Sequence, residues 1–373
     1  MTVMERGARR AKPQQTRRRR QDIDIATTKP GTPGGIFMRQ FWHAICRSED
    51  LPPGRAMPIR IMSEDYTLFR GHGGKAQVMA HRCPHRGALL HLGWVEGNDL
   101  RCVYHGWKYD CTGQCNEAPA EKPGFEKKVK VQTWPTEHVP CNYLQSFENS
   151  MDEVHVAYTH SPGGSHSKLA EDLPLITAEE KDWGLLRFGR RPKSGMVRHT
   201  LHYAPNIVRV IVPPLHGMDG VGGWPEITFH FTPVDDENHL WIITAKVLVT
   251  GAELETYKQR RAEFYRQREA APKVNRMVDD IWAAKISYAE ARHPELVIVQ
   301  DIAVQAGQGR VADRDNELLG RSDAGIAAWR RILMRELRAI AEGGKVKKWK
   351  RPPEDVIPIV GIDLPDRGKG DHH

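Results

Sequence analysis

The sequence has no long apolar run, which excludes the integral membrane proteins. Hydrophobic residues make up 39% of its 373 positions, and no stretch approaches the roughly 18 consecutive apolar residues that a spanning helix needs. Its six cysteines do not resemble the disulfide framework of a small secreted protein. Internal repeats and a Gly-rich nucleotide-binding fingerprint are both absent, so any nicotinamide cofactor would have to bind a separate protein. We expect a soluble protein that is long enough for two domains with their own cores.

The positive charge is concentrated at the beginning of the chain. The first 20 residues carry eight basic side chains against one acidic one, and so account for +7 of the formal net charge of +8. A basic segment can bind phosphates, but this one has no interleaved aromatic residues. Twin arginines also occur in export signals, yet Gln21-Asp22-Ile23-Asp24 stands where an apolar region should follow. We predict a basic, disordered tail over residues 1–35, or a start codon placed too early, and expect neither nucleic acid binding nor export.

Two Cys-His pairs are the most informative feature of the sequence. Cys83 and His85 form the first pair, and Cys102 and His105 form the second. Two thiolates and two imidazoles can close a structural zinc site. They can also hold a Rieske two-iron, two-sulfur cluster, in which both thiolates bind one iron and both imidazoles bind the other. The four residues alone leave both metals open.

The residues around these pairs favour the cluster. Pro84 stiffens the first loop, Gly106-Trp107 follows the second, and further glycines punctuate the connection, which is typical of two clamping loops joined by a hairpin. The run over 83–113, CPHRGALLHLGWVEGNDLRCVYHGWKYDCTG, resembles the Rieske domain of the ring-hydroxylating oxygenases. The resemblance implies that all four residues of the two pairs bind the cluster. Thiols near an iron-sulfur centre favour a reducing compartment, so we expect a cytoplasmic protein.

A second histidine pair lies in the segment 149–160, NSMDEVHVAYTH. It resembles the mononuclear iron motif of the same oxygenases, which implies that His155 and His160 belong to a triad of two His and one carboxylate on ferrous iron. Five residues of regular helix turn a side chain by about 500°, or about 140° net. Both imidazoles can face one ion only if the helix ends or bulges between them, and we expect that irregularity at 156–159.

For the third iron ligand the resemblance points to Asp301. Apolar residues flank it at 296–299 and at 302–304. A carboxylate is costly to bury in such surroundings without a cation or a hydrogen-bond partner, which favours a metal role. Asp313 is the alternative ligand, although Asp313 and Asp323 each have an arginine nearby and could equally cap a helix.

Two polar residues near the histidines complete the predicted site. Asp152 lies three residues before His155, on roughly the same helical face, where its carboxylate could hydrogen-bond the imidazole. In the resembled family the matching Asp also reaches a cluster-ligating His of the neighbouring subunit. This implies a homotrimer in which the electron crosses at Asp152. Asn149, one turn earlier, could approach the open side of the iron, or it could simply be an Asn near a helix start.

The pattern of apolar residues, together with the resemblance, predicts an α+β protein with two domains. Short apolar runs, such as 59–62, 66–69 and 129–131, alternate with Gly and Pro turns over 36–136, which is typical of a small antiparallel barrel or sandwich. This part is the expected all-β Rieske domain. The expected catalytic domain follows over 137–350.

Strand-like and helical segments are both visible in the second domain. Strands are predicted at 208–212, 227–231 and 240–244, and helices at 252–271 and 324–341. The resemblance implies a helix-grip catalytic domain, in which an antiparallel sheet grasps a helix over a pocket. Residues 351–373 are interpreted as a C-terminal tail.

The resemblance covers 31 to about 350, and is strongest to single-subunit oxygenases of the phthalate dioxygenase and dehydrodivanillate demethylase kind. It implies a terminal oxygenase component that receives electrons from NAD(P)H through a separate flavin or iron-sulfur reductase. Its iron would activate oxygen beside an aromatic substrate, for ring hydroxylation or for O-demethylation. The candidate residues for binding a substrate carboxylate are Arg190, Arg191, Arg198, His199 and Asn206.

The sequence departs from the resembled enzymes at one place. In those enzymes a few dozen residues separate the stretch like 135–139 from the stretch like 140–143, and here the two abut. Three alternatives therefore stay open beside the oxygenase. They are a Rieske electron carrier, an inactive oxygenase homologue and a zinc-stabilised binding module.

Overall fold

The computed structural model describes residues 23–122, 140–160, 172–214 and 220–353, together with residues 218, 356, 358, 360 and 361. Several predicted features lie outside these residues. They are the basic arm at 1–20, the strand at 129–131, the junction at 135–139 and most of the C-terminal tail.

Two small antiparallel sheets form the first part of the described chain. One has the strand order β1-β2-β3 and the other has the order β4-β5-β6-β7. The strands are β1 (Ala56–Ile61), β2 (Glu64–Arg70), β3 (Ala76–Ala80), β4 (Trp94–Glu96), β5 (Asp99–Arg101), β6 (Lys108–Tyr109) and β7 (Cys115–Glu117). Their shared core contains Phe69, Leu100 and Trp107, and both Cys83 and Cys102 are buried in it.

A larger antiparallel sheet forms the second part. Among the described residues it has seven strands, six of them in the order β13-β12-β11-β10-β9-β8, while β14 pairs with β10. The strands are β8 (Leu175–Lys181), β9 (Gly184–Arg190), β10 (Val197–Tyr203), β11 (Ile207–Ile211), β12 (Glu226–Pro233), β13 (His239–Lys246) and β14 (Val360–Gly361). Side chains alternate between the two faces of such a sheet, so one face can bury apolar residues against helices.

Helices pack against one face of this sheet. The described helices are α1 (Pro33–Met38), α2 (Tyr143–Asn149), α3 (His155–Thr159), α4 (Gly251–Ala270), α5 (Val274–Trp282), α6 (Leu296–Gly307) and α7 (Ala324–Ala341). In the main core Phe147 of α2 meets Trp329 of α7 edge to face, with ring centroids 5.0 Å apart, and Val208 and Phe231 of the sheet close the other side. The buried face of the sheet and the helices above it enclose the region where the second histidine pair lies.

The turn between β1 and β2 joins the two parts of the chain. Met62 and Ser63 both have positive φ, 47° and 69°, as a tight hairpin turn requires. Their N–H groups donate to the carbonyls of Pro233 and Val234, at 2.9 and 2.6 Å. The first sheet is therefore bonded through its backbone to the end of β12.

The predicted fold class is confirmed. Antiparallel sheets come first, and a sheet with packed helices follows. The helix predicted at 324–341 is α7, and the predicted exposed helix at 252–271 is α4, displaced by one residue. The strands predicted at 208–212, 227–231 and 240–244 fall on β11, β12 and β13. No helix in the described part of the chain is long and apolar enough to cross a membrane.

Residues 23–35 differ from the expectation of a disordered tail. Ile25 and Ala26 are buried, and the N–H of Thr28 and the hydroxyl of Thr27 donate to the carboxylate of Asp236. The expectation rested on the cluster of basic residues, which ends at Arg20. Beyond it the chain has apolar and hydroxyl side chains that reach the core of the large sheet.

Candidate functional site

The two Cys-His loops have the same backbone construction. In each loop the Cys N–H donates to the carbonyl five residues later, at 2.7 Å for Cys83 and 2.8 Å for Cys102. In each loop a glycine four residues after the Cys returns a bond to the Cys carbonyl, at 2.9 Å for Gly87 and 3.1 Å for Gly106. These glycines have φ of 74° and 75°, in the left-handed region that other residues rarely adopt. The two loops therefore have the same backbone hydrogen bonds and the same glycine position.

The four side chains of the loops converge at the edge of a small core. Cys83 and Cys102 are buried, while His85 stacks flat on Trp107 with ring centroids 4.4 Å apart. The rings of His85 and His105 are also 4.4 Å apart. The Nδ1 atom of His85 is buried and has no hydrogen-bond partner among the described residues. A buried nitrogen without a partner fits a metal ligand.

The spacing of these side chains argues against a single zinc ion. A tetrahedral ion with bonds of about 2.0–2.3 Å brings its four ligand atoms to within about 4 Å of one another. In the described part of the chain, only His155, His160 and Asp301 form a group of three or more His, Cys, Asp or Glu ligand atoms that all lie within 4.8 Å of one another. The described Cys-His loops bring no three of their ligand atoms within this distance, which fits a cluster whose thiolates and imidazoles bind different irons.

Two further residues support the loops. Burial raises the pKa of the Cys83 thiol, and the hydroxyl of Tyr109, 3.1 Å from its sulfur, partly opposes this. Arg101 donates to the carbonyl of Gly106 at 2.6 Å, and it is held by Glu96 and Glu117 at 2.7 and 2.8 Å. Sequence analysis did not identify Arg101. The only signal was its place directly before Cys102.

The second histidine pair and Asp301 come together in the structure. His155 is the first residue of α3, and His160 follows its last residue. Asp301 lies in the middle of α6 and is buried. Its Oδ1 is 3.4 Å from Nε2 of His160 and 3.7 Å from Nε2 of His155. Nitrogen and oxygen ligands with bonds of about 2.1 Å lie only about 3–3.5 Å apart on one ion, so these three atoms fit a mononuclear metal site.

Both imidazoles have the same tautomer, because each Nδ1–H donates away from the site. His155 Nδ1 donates to the backbone carbonyl of Asp152 at 2.5 Å. His160 Nδ1 donates to Oε1 of the buried Gln300 at 3.1 Å. Each ring therefore directs Nε2 toward Oδ1 of Asp301, where a metal ion would take the place of the proton that Nε2 of His160 donates to this carboxylate. Sequence analysis missed Gln300, although a polar residue within the apolar run of α6 was a visible signal.

The electrostatics of the three residues suit a cation. Burial lowers the pKa of His155, although Asp301 and Asp152 oppose this effect. Burial acts in the same direction on His160, but the hydrogen bond to Asp301 and its charge raise the pKa of His160 overall. Burial alone would raise the pKa of Asp301, whereas His160, His155 and Asn149 hold it below its usual range. The carboxylate is thus ionised and ready to bind a positive ion.

The helix irregularity lies at a different place from the one predicted. Residues 156–159 are regular helix. The chain instead leaves α2 at Asn149, runs irregularly over 150–154 and enters the short helix α3. Because α3 ends at Thr159, the side chain of His160 does not follow the helical rotation that would direct it away from the ion bound by His155.

Asp152 and Asn149 both lie beside the triad. Asp152 is not on a helical face with His155. Its Oδ1 accepts from the N–H groups of Val154 and His155 at 2.7 and 3.3 Å, and the carboxylate stays 3.8 Å from the imidazole. The expected side-chain hydrogen bond is therefore replaced by the backbone carbonyl. Asn149 Nδ2 lies 3.3 Å from Asp301 Oδ1 and 3.5 Å from His155 Nε2, so it faces the site.

The other candidates lie apart from the triad. Asp313 is exposed and bonds with Asn316, while Asp323 precedes α7 and accepts from the N–H of Gly320. Of the candidates for a substrate carboxylate, Arg190 is exposed and His199 packs on Phe188. The other three candidates are buried, and their side chains already bond to other groups of the protein. Arg191 pairs with Glu153, Arg198 bonds the carbonyl of Ile211, and Asn206 bonds the carbonyl of Phe231.

Comparisons with known proteins agree with this geometry. Residues 41–142 match the Rieske [2Fe-2S] domain family. The chain is 27% identical to the oxygenase subunit of 5,5'-dehydrodivanillate O-demethylase from a Sphingobium species, over 92% of this chain and 86% of that one. It is 26% identical to the oxygenase subunit of phthalate 4,5-dioxygenase from Pseudomonas putida, over 87% of each chain. In fold it is similar to the terminal oxygenase of carbazole 1,9a-dioxygenase from Novosphingobium sp. KA1, with a TM-score of 0.57, 15% identity and coverage of 88% and 96%.

Proposed function

We propose that the chain is a Rieske non-heme iron oxygenase, and that it is the terminal oxygenase component of a system that hydroxylates or O-demethylates an aromatic acid. Electrons reach it from NAD(P)H through a separate flavin or iron-sulfur reductase. A cytoplasmic location fits its thiols. Residues 36–136 form the cluster domain and 137–350 the catalytic domain.

The convergence of His155, His160 and Asp301 carries this proposal. An electron carrier needs only the cluster loops, whereas these three residues build a second site beside the large sheet. Two neutral imidazoles and one carboxylate leave open positions on ferrous iron, which distinguishes this set from a closed structural site. An intact triad also argues against an inactive homologue.

Each part of the chain has a separate task. When bound, the [2Fe-2S] cluster relays electrons and the mononuclear iron activates oxygen. Cys83, His85, Cys102 and His105 would hold the cluster, and the triad would hold the iron. Gln300 keeps the Nε2 atom of His160 directed at Asp301, as the carbonyl of Asp152 does for His155. Asn149 faces Asp301 and can hold a polar group on the open side of the site.

We assign the electron route to Asp152 in a homotrimer. Its carboxylate is about a quarter exposed and lies 3.8 Å from the imidazole of His155, so it can be reached from outside the subunit. In a head-to-tail trimer the cluster of one subunit lies beside the iron of the next. Each active site is then shared between two subunits.

An aromatic carboxylate is the proposed substrate class. The names of two relatives, the phthalate enzyme and a phenoxybenzoate dioxygenase, describe substrates of this class.

Metal analysis of the reconstituted protein tests the proposal. Three irons and two acid-labile sulfides per chain are expected, since the loops and the triad are separate sites. Two irons with a full Rieske spectrum would favour the electron carrier instead. Zinc without acid-labile sulfide would favour the binding module and contradict both redox functions.

An oxygen-uptake screen with a generic reductase tests the substrate class. Aromatic acids should support uptake and product formation, and their neutral amides should not. Equal turnover of acids and amides would contradict the assignment.

A further inference from the structure

The segment between α2 and α3 carries Asp152 and leads directly into His155, yet it is not regular structure. A break in a helix leaves backbone groups and side chains without the support of neighbouring turns. The side chains on either side of His155 therefore have to be held by other elements. Glu153, in this break, has a side chain that is only 1% exposed.

Glu153 binds the break to the large sheet. Its Oε2 accepts from Arg187 of β9 at 2.6 Å, and its Oε1 accepts from Arg191, which follows β9, at 2.9 Å. Arg198 of β10 lies 3.9 Å away. All three arginines are buried. One carboxylate thus receives hydrogen bonds from two arginines and faces a third, in surroundings where an unpaired charge is very costly.

The sheet is shaped to receive this carboxylate. At Gly189 of β9 a Cβ atom would lie 2.2 Å from Oε2 of Glu153 and 3.0 Å from the guanidinium of Arg187. The φ of Gly189 is not in the left-handed region, so backbone conformation does not require glycine there. Because Gly189 has no side chain, the carboxylate of Glu153 can lie against the backbone of β9.

We infer that Glu153 is a positioning residue for the iron site, because its ion pairs with Arg187 and Arg191 fix the break so that the carbonyl of Asp152 holds His155 toward Asp301. This inference rests on the proposed function, in which the triad binds a metal. Loss of the anchor frees the backbone on both sides of Glu153. His155 then loses the carbonyl of Asp152 that orients its ring, which weakens the metal site without touching a ligand.

Cobalt(II) binding to the full-length protein tests the inference. Mononuclear iron is removed with a chelator, the Rieske absorption is checked, and cobalt is titrated by its visible bands, whose intensity reports coordination geometry. Glu153→Gln should weaken cobalt binding about tenfold or more and change the band intensity, with an unaltered Rieske spectrum. Glu336→Gln is the matched control. It removes another buried carboxylate, which lies on α7 and accepts from Arg335 and from the N–H of Lys347, and it should leave cobalt binding unchanged.

A steric variant makes the same test without changing any charge. Gly189→Ala should displace the carboxylate and weaken cobalt binding in the same way. Gly361→Ala should not, because its new Cβ meets only an ordinary contact of 3.6 Å in the same sheet. Glu153→Asp combined with Gly189→Ala shortens the acid by one methylene, makes room for the methyl group and should recover part of the affinity.

The outcomes separate the inference from the proposed function. If the wild-type triad binds cobalt and both Glu153→Gln and Gly189→Ala bind it equally well, the positioning role is wrong. It is also wrong if Glu336→Gln weakens binding as much, since the effect would then be one of general stability. A wild-type triad that binds no metal would overturn the proposed function together with this inference.

Discussion

Replacing Gln300 by Met should weaken iron binding without removing a ligand. The change keeps the length of a side chain that is buried on α6 and removes the acceptor for Nδ1–H of His160. The imidazole can then rotate or change its tautomer, and its Nε2 is no longer held toward Asp301. Metal affinity should fall because Gln300 stabilises only the ring orientation of His160 that binds the metal.

The size of the effect follows from the bond that is lost. A neutral hydrogen bond of 3.1 Å contributes about 1 kcal/mol net, and the freed ring adds the cost of being ordered again when the metal binds. Loss of a partner of this kind reduces metal affinity by about 10–100-fold, or about 1.4–2.7 kcal/mol. Because both partners are uncharged, we expect a value near tenfold for Gln300→Met.

The assay is a competitive titration of ferrous iron against a chelator, with the Rieske absorption recorded on the same samples. Gln305→Met is the matched control. Gln305 is equally buried on α6, but its side chain accepts from the hydroxyl of Ser146 on α2. If both variants lose affinity to the same extent, the effect belongs to the stability of α6 and the reasoning about His160 is refuted.

Three further predictions concern the ligands, the pH dependence and the assembly. Asp301→Ala should lose mononuclear iron and product formation but keep the Rieske spectrum. Asp313→Ala, which changes an exposed side chain, should retain the iron and the product formation. Reversed phenotypes would show that the third ligand is misassigned. Burial, and to a lesser extent the charge of Arg187, lowers the pKa of His202 to about 3. As the pH falls, the unfolded chain therefore binds a proton at this residue before the folded chain does. The free energy of unfolding should decrease as the pH drops below about 6.5. Between pH 7 and pH 4.5, the free energy of unfolding measured in urea should fall by about 2–3 kcal/mol less for His202→Leu than for the wild type. An identical pH dependence of the two proteins would contradict this. Co-expressed Cys83→Ala and His155→Ala chains, each inactive alone, should recover part of the activity as mixed trimers; mixed trimers without activity would exclude the cross-subunit route.

The sequence was most informative where chemistry and spacing coincide. The two Cys-His loops carry their own turn residues, and the amphipathic period of α7 places its ends at Ala324 and Ala341, as predicted. For Asp301 the family resemblance gave the position, and the cost of burying a carboxylate among apolar residues supported it. In each case a local pattern contains enough information to specify local structure.

The parts that could not be predicted depend on contacts between distant segments. The position of the helix break is set by Glu153 and its arginines, which are 34 and 38 residues away in the chain. The role of Gln300 depends on a partner 140 residues away. The assignment of residues 23–35 to a tail used net charge, while Asp236, which anchors Thr28, is 208 residues further on. No local pattern reports such pairings.

The backbone joint between the β1–β2 turn and the end of β12 has a consequence for divergence within the family. Its two hydrogen bonds come from the N–H groups of Met62 and Ser63 and the carbonyls of Pro233 and Val234, and no side chain takes part in them. Most substitutions therefore leave these donors and acceptors in place. Side chains elsewhere on both parts of the chain can change while the two Cys-His loops and the triad of one chain keep their separation.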